Sequence, residues 1–256
     1  MDLANRIKEA AARNDHQLLS ELFWIPLPKN PPNRMSEFIC SNLSGIAIVS
    51  SSSLPTMVAS SPYSMVLEEH LRVLMALGSG SMEGFGTAFR HSVIALQAFM
   101  KALPSEGIAT VALLKRLCIN VVHLSLFADR HSSPSAANNR EEAARLLSRA
   151  FTTAITDRNP LALSKKWAAL GISNLLFRLY FSLGTVRLCV NILRAVDTTV
   201  NAGEFPSLAA FPRAEVVTFQ YFRARLAINE NNFKAAEEYL IDAVQRCSPQ
   251  FSSQKR

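Results

Sequence analysis

The sequence predicts an all-α fold: stacked helical hairpins forming an α-solenoid of tetratricopeptide-like units. Three observations predict it. Apolar residues recur at three- and four-residue spacing through most of residues 63–247. No segment carries a sustained run of alternating, β-branched residues of the kind a strand needs. Only 9 Gly and 12 Pro occur in 256 residues, and several Pro cluster before position 63, which leaves the rest for long regular elements.

Each element follows from local signals. Leu3, Ile7, Ala10, Ala11, Leu18, Leu22 and Phe23 give a first amphipathic helix within residues 1–25. Pro26, Pro28, Pro31 and Pro32 end it, and residues 26–62 form a Pro- and Ser-rich loop or insertion. Residues 63–256 form a helical-repeat region. Its first helix runs from about Tyr63 to Leu77, with Leu67, Leu71 and Leu74 on one face, before Gly78-Ser79-Gly80-Ser81. The next spans Glu83 to Leu103, with Phe85, Phe89, Val93, Leu96 and Met100. A helix from Glu106 to Ala128 is apolar over most of its surface and belongs centrally. Beyond a polar loop from His131 to Asn138, Asn139 stands three residues before Glu142, as in a capping box. That helix carries Ala144, Leu147, Phe151 and Ile155. Asn159-Pro160 is another start signal, with Asn as cap and Pro in the first turn. The helix it opens continues through Trp167, Leu170, Asn174, Phe177 and Tyr180 to Gly184. A shorter helix from Thr185 to Asp197, a loop from Asn201 to Pro212, and helices Arg213–Ile228 and Asn232–Cys247 complete the chain. Short turns imply antiparallel hairpins. In the last pair Ala224, Ala236, Leu240 and Ala243 fall where a tetratricopeptide unit places its packing residues. Trp167, Phe177, Tyr180, Phe233 and Tyr239 join them as candidate repeat-packing residues.

Composition narrows the class. Hydrophobic residues make up 49% and charged residues 18%, which argues against global disorder. A net charge of +7 favours polyanions such as nucleic acid or an acidic protein. Cys40, Cys118, Cys189 and Cys247 stand far apart with no CxxC pair, so no zinc site is expected. Three of them fall in apolar helical patterns, as small hydrophobes do. The first residues carry acids and no apolar run, unlike a signal peptide. Residues 38–67 lack charge but hold many Ser, Pro55 and Pro62, and read as a loop; Leu161–Leu183 is interrupted by Lys165, Lys166 and Arg178 and reads as a buried helix. No membrane segment is therefore expected.

No motif points to a catalytic, cofactor or metal residue, and no small-molecule substrate is expected. A nucleophile needs a base within reach and an orienting group. None of His16, His70, His91, His123 and His131 shares a local motif with one, and no two have the i, i+4 spacing of a helical metal pair. His123, in the apolar helix, reads as a hydrogen-bonded core histidine. The Gly-rich run from Gly78 to Gly86 follows no strand and ends in no Gly-Lys-Ser/Thr, so it reads as a flexible turn. Glu141-Glu142 and Glu237-Glu238 complement helix N-termini. Lys165 and Lys166 beside Trp167, and Arg223 and Arg225 after Phe219, Tyr221 and Phe222, are the candidate nucleic-acid contacts, because basic and aromatic residues together hold phosphates and stack on bases. Helical spacing also allows Phe219 and Phe222 to be core, with the arginines solvated outside.

Several segments together resemble the PCI domain-containing protein 2 family. They are Pro62-Tyr63 followed after six residues by His70-Leu71-Arg72, then Ser164-Lys165-Lys166-Trp167, then Asn174-Leu175-Leu176-Phe177-Arg178-Leu179-Tyr180-Phe181. Leu188-Cys189, Leu193-Arg194-Ala195-Val196-Asp197 and Val217-Thr218-Phe219-Gln220-Tyr221-Phe222-Arg223-Ala224-Arg225 continue the pattern in order. The clearest piece is Asn232-Phe233-Lys234-Ala235-Ala236-Glu237-Glu238-Tyr239-Leu240, ending at Cys247. The resemblance runs from about Tyr63 to the end and weakly over the first helix, and residues 35–61 do not match clearly.

The resemblance implies a non-catalytic scaffold subunit of the nuclear TREX-2 complex, which couples transcription to mRNA export at the pore. It implies a large scaffold PCI subunit and a small acidic subunit as partners, RNA or DNA as a further ligand, and residence in the nucleus with a cytoplasmic pool. The signalosome and the proteasome lid contain the same architecture and are alternative assemblies. Direct nucleic-acid binding by the basic helices is a further alternative. In that family a winged helix follows the helical repeats. This chain reaches Arg256 without one, which implies a truncated product or a fragment.

Overall fold

The computed structural model describes residues 13, 15–25, 64–78, 82–103, 108, 110–131 and 138–247. Among them stand nine α-helices, two short 3-10 turns and no strand, as the hydrophobic periodicity predicts. The chain divides into two compact units, residues 1–146 and 147–256.

The first unit holds α1 (His16–Leu22), α2 (Ser64–Gly78), α3 (Met82–Ala102), α4 (Thr110–His131) and the first half of α5 (Asn139–Ile155). Of the helix expected within residues 1–25, the described residues show α1 alone as helical. Asp15 caps its start, its carboxylate accepting from the Leu18 N–H at 2.9 Å. Residues 1–12 of that expectation, and the Pro- and Ser-rich stretch of 26–62, lie outside the described residues. Only three positions separate α2 from α3, so the two form a hairpin. Gly84 and Gly86 belong to the first turns of α3, not to a turn between helices, because Glu83 and the following apolar residues carry helical pairing through them.

α4 is central to this unit and packs on α1 and α3. It is long and apolar enough to cross a membrane, yet more than half of its most apolar stretch is buried inside the fold. Phe23, Phe89, Phe99, Leu96 and Leu113 fill the core around it. Polar contacts fix the register. The buried Asn120 side chain donates to the Phe23 carbonyl at 2.9 Å. The Arg116 guanidinium lies 4.3 Å over the Trp24 ring and donates to Ser20 Oγ. Between α2 and α3, buried Glu69 holds His91 Nδ1 at 2.7 Å and Arg72 at 2.7 Å, so its charge is balanced.

The start of α5 corrects the capping-box reading. Asn139 lies inside the helix, and the cap comes from α4. The Asp129 carboxylate accepts from the backbone N–H groups of Asn139 and Arg140, from the Asn139 amide and from Arg140 Nε. Burial alone would raise this carboxyl, but those hydrogen bonds outweigh it and hold it below its ordinary value.

The second unit contains the rest of α5, α6 (Lys166–Ser182), α7 (Arg187–Asn201), α8 (Arg213–Asn229) and α9 (Phe233–Arg246). Asn159-Pro160 does not open α6. Pro160 precedes a 3-10 turn at Leu161–Leu163, and the Asn159 amide donates to Asp157. Asp157 accepts from the Lys165 N–H and the Ser164 hydroxyl, and Ser164 Oγ accepts from the Lys166 N–H, so α6 begins six residues after Pro160. At its end, Gly184 takes a positive φ of 70°, where glycine carries no Cβ penalty. The Thr185 N–H then closes on the Tyr180 carbonyl at 2.9 Å. α7 runs one turn beyond Asp197 and ends on the same device at Gly203.

α8 and α9 form a close pair. Asn231 takes a left-handed φ of 59° and Asn232 then caps α9, its side chain accepting from Ala235 N–H. Two adjacent Asn thus stop one helix and start the next, with the chain reversing between them. Ala224, Ala236 and Ala243 are buried there, which lets the backbones approach.

Candidate interaction surface

No group of three or more His, Cys, Asp or Glu able to hold a metal exists among the described residues. Cys118 and Cys189 are buried thiols, and burial raises both, Cys189 to about 11, which keeps them protonated and unreactive. Cys247 is the residue closing α9 and is half-buried, not part of the helix. Cys40 lies outside the described residues. Among the histidines whose burial is described, the buried one is His70; His123 is half-exposed. His70 packs 4.9 Å from Phe23, and its burial lowers the imidazole pKa to about 4, opposed by its hydrogen bond to the Leu22 carbonyl.

What the second unit offers instead is surface. A chain of rings runs through it. Phe177 meets Phe219 at 5.9 Å and Phe222 at 5.5 Å, and Phe222 meets Phe181 at 5.5 Å. A second ring cluster joins Trp167, Phe211 and Phe205, with the Trp167 indole N–H donating to the Leu161 carbonyl at 2.8 Å. Trp167, Phe177 and Tyr180 therefore sit in packing positions; Tyr180 also hydrogen-bonds Ser148. A polar strut ties α8 to α9: buried Gln220 donates to Asp242 at 2.6 Å, and Asp242 accepts from Arg246 Nε at 2.8 Å. An open cleft of about 270 Å³ lies beside this strut, lined by Leu208, Phe211, Arg213, Val216, Gln245 and Arg246.

Two of the repeat-packing candidates face outward. Phe233 is 65% exposed and Leu240 37%, and Ile241 and Val244 extend the same apolar stripe. α9 buries only the edge that carries Ala236 and Ala243, because the described chain supplies one neighbour, α8. Tyr239 is half-buried beneath Arg223, whose guanidinium lies 4.6 Å over its ring.

The four basic candidates do not assemble into one free surface. Lys165 and Lys166 are only 3% and 5% exposed, because the start of α6 is tucked under the Asp157 cap. Lys166 Nζ reaches Glu204 at 3.2 Å. Arg223 is held by Asp197 at 3.2 Å and by the rings of Phe219 and Tyr239. Arg225 alone of the four stands exposed, 4.0 Å over the Phe181 ring. Periodicity missed this division, since it separates helix faces but not which face a neighbouring helix covers.

No family model matches the chain. It is 34% identical over 182 residues to PCI domain-containing protein 2 homolog from Dictyostelium discoideum, a match covering 66% of this chain and 40% of that protein. It is 40% identical over 123 residues to Protein CSN12 homolog from Neurospora crassa, covering 48% of this chain and 27% of that protein. It is 29% identical over 203 residues to PCI domain-containing protein 2 from Xenopus laevis, covering 76% of this chain and 48% of that protein. The chain thus spans less than half the length of these relatives. With relatives of both names similar over much of its length, and helical hairpins throughout the described residues, the comparisons support the PCI domain-containing protein 2 family for this chain.

Proposed function

We propose that the chain acts as a non-catalytic scaffold that helps assemble the TREX-2 mRNA-export complex in the nucleus, where it contacts a large scaffold PCI subunit and a small acidic subunit. The observation that carries this reading is the α8–α9 hairpin. It packs closely through Ala224, Ala236 and Ala243, and it presents Phe233, Leu240, Ile241 and Val244 outward. Such a stripe suits addition of another helical element. A net charge of +7 supports an acidic partner. The family relationship supports assembly with other PCI subunits.

Tandem affinity purification of the tagged chain from cells tests this. Recovery of both TREX-2 partners supports it, and their absence from a reproducible preparation rejects it. A second reading, association with the signalosome or the proteasome lid, rests on the relatives that carry the name CSN12 homolog. The same purification separates the two by which assembly copurifies.

A further inference from the structure

We infer that the cleft between the 3-10 turn at Leu208–Ala210 and the end of the α8–α9 hairpin takes the C-terminal carboxylate of a partner polypeptide together with an apolar last side chain, a site the scaffold reading does not assign. Its volume is about 270 Å³. That is just below the roughly 300–1,000 Å³ of sites for drug-sized molecules, so it suits a chain end. The hairpin brings Arg213, the first residue of α8, and Arg246, the last of α9, into one lining. The floor is apolar and fixed. Phe211 and Val216 are 5% and 1% exposed, and the Phe211 ring packs on Trp167 at 5.1 Å and on Phe205 at 5.5 Å.

Charge and hydrogen-bonding capacity select the occupant. Arg246 Nε is committed to Asp242 at 2.8 Å, and that carboxylate also accepts from Gln220. Arg213 is exposed, and among the described residues no carboxylate pairs with it. Two guanidiniums against one acid leave one positive charge, which matches a monoanionic carboxylate and falls short of a phosphate dianion. α8 opens on Pro212 with no side chain capping it, so its first N–H groups add donors beside Arg213. An internal Asp or Glu offers the carboxylate without the apolar side chain. A chain-terminal residue carries both on one Cα, so the guanidinium and the apolar floor are satisfied together. Gln245, also in the lining, offers an amide to the preceding peptide group.

Saturation-transfer difference NMR of the hexapeptide Gly-Ser-Gly-Ser-Gly-Leu with the purified 256-residue chain tests this. Titration should give a Kd below about 1 mM, with the strongest transfer at the leucine methyls. Amidating the terminus, or ending the peptide in Gly, should each weaken binding about tenfold. R213A should do the same, R246A should cost several-fold, and A209W, which fills the cleft, should abolish the transfer. R194A, at an exposed arginine of α7, should change affinity less than about twofold. Helicity and melting temperature verify folding, and the two altered peptides keep the test standing if a variant loses helicity. Absence of binding by the Leu peptide overturns the proposal. So does an amidated peptide that binds as well as the free acid, or an R194A that loses as much as R213A. Inorganic phosphate binding more tightly than the peptide, or amidated hexaglutamate displacing it with equal strength, also overturns it, in favour of a phosphate or an internal acidic segment. Binding is read on the purified chain with no partner present, so its failure and failure of the scaffold reading are separate results.

Discussion

Lys166, buried at the first turn of α6, reaches across to the exposed carboxylate of Glu204 at 3.2 Å. Its stem fills the junction while its ammonium meets the edge of the fold. Lys166→Ala should therefore destabilise the chain by about 1–2 kcal/mol, chiefly through lost packing. The salt dependence of oligonucleotide binding should not change. A melting curve and a salt titration of the variant read the two outcomes; a reduced slope with unchanged stability contradicts this placement.

His70 makes stability depend on pH. Its folded pKa is about 4, against an ordinary value of 6.5, because burial beside Phe23 disfavours the imidazolium. Between those values the unfolded chain binds the extra proton and the folded chain does not, so stability is full above 6.5 and is lost as pH falls toward 4. The loss is on the order of 3 kcal/mol for this group. Urea denaturation at pH 7 and pH 4.5 measures it, and His70→Phe should remove much of the difference.

Asp129 caps a helix that is not its own. Asp129→Ala removes the acceptor for two backbone N–H groups and for Arg140, and should cost about 2 kcal/mol. Asp129→Asn, which keeps one acceptor, should cost about half as much. Hydrogen exchange at the first turn of α5 should quicken in both variants, and unchanged protection there would contradict the assignment.

The α8–α9 contact is expected to reject bulk on one face of α9 and tolerate change on the other. Ala236→Leu should destabilise by about 1–3 kcal/mol, since the added atoms meet the α8 backbone region. Phe233→Ala should change stability by no more than about 0.5 kcal/mol in the isolated chain, yet weaken partner capture. Chemical denaturation with paired pull-downs distinguishes these effects.

Much of this was legible from the residues alone. Hydrophobic spacing located eight of the helices from Ser64 onward, because an amphipathic helix writes its buried face into the chain at fixed intervals. Gly184 announced its own left-handed turn, because only the absence of a Cβ makes that conformation inexpensive. The small residues Ala224, Ala236 and Ala243 foretold close helix contact. Capping was misread at Asn139 and Asn159, because a carboxylate from the preceding segment supplied the acceptor, and a partner ten residues away leaves no trace in a four-residue motif.

The amino-acid sequence determined the helical class, the order of the hairpins and the positive surface, since these depend on local periodicity and composition. Tertiary structure decided which cations are free. Lys165 and Lys166 read as candidate nucleic-acid contacts in one dimension, but the neighbouring segment buries them, while Arg225 keeps its exposure on the Phe181 ring. Burial and pairing are set by residues distant along the chain, and no spacing within a single helix encodes them.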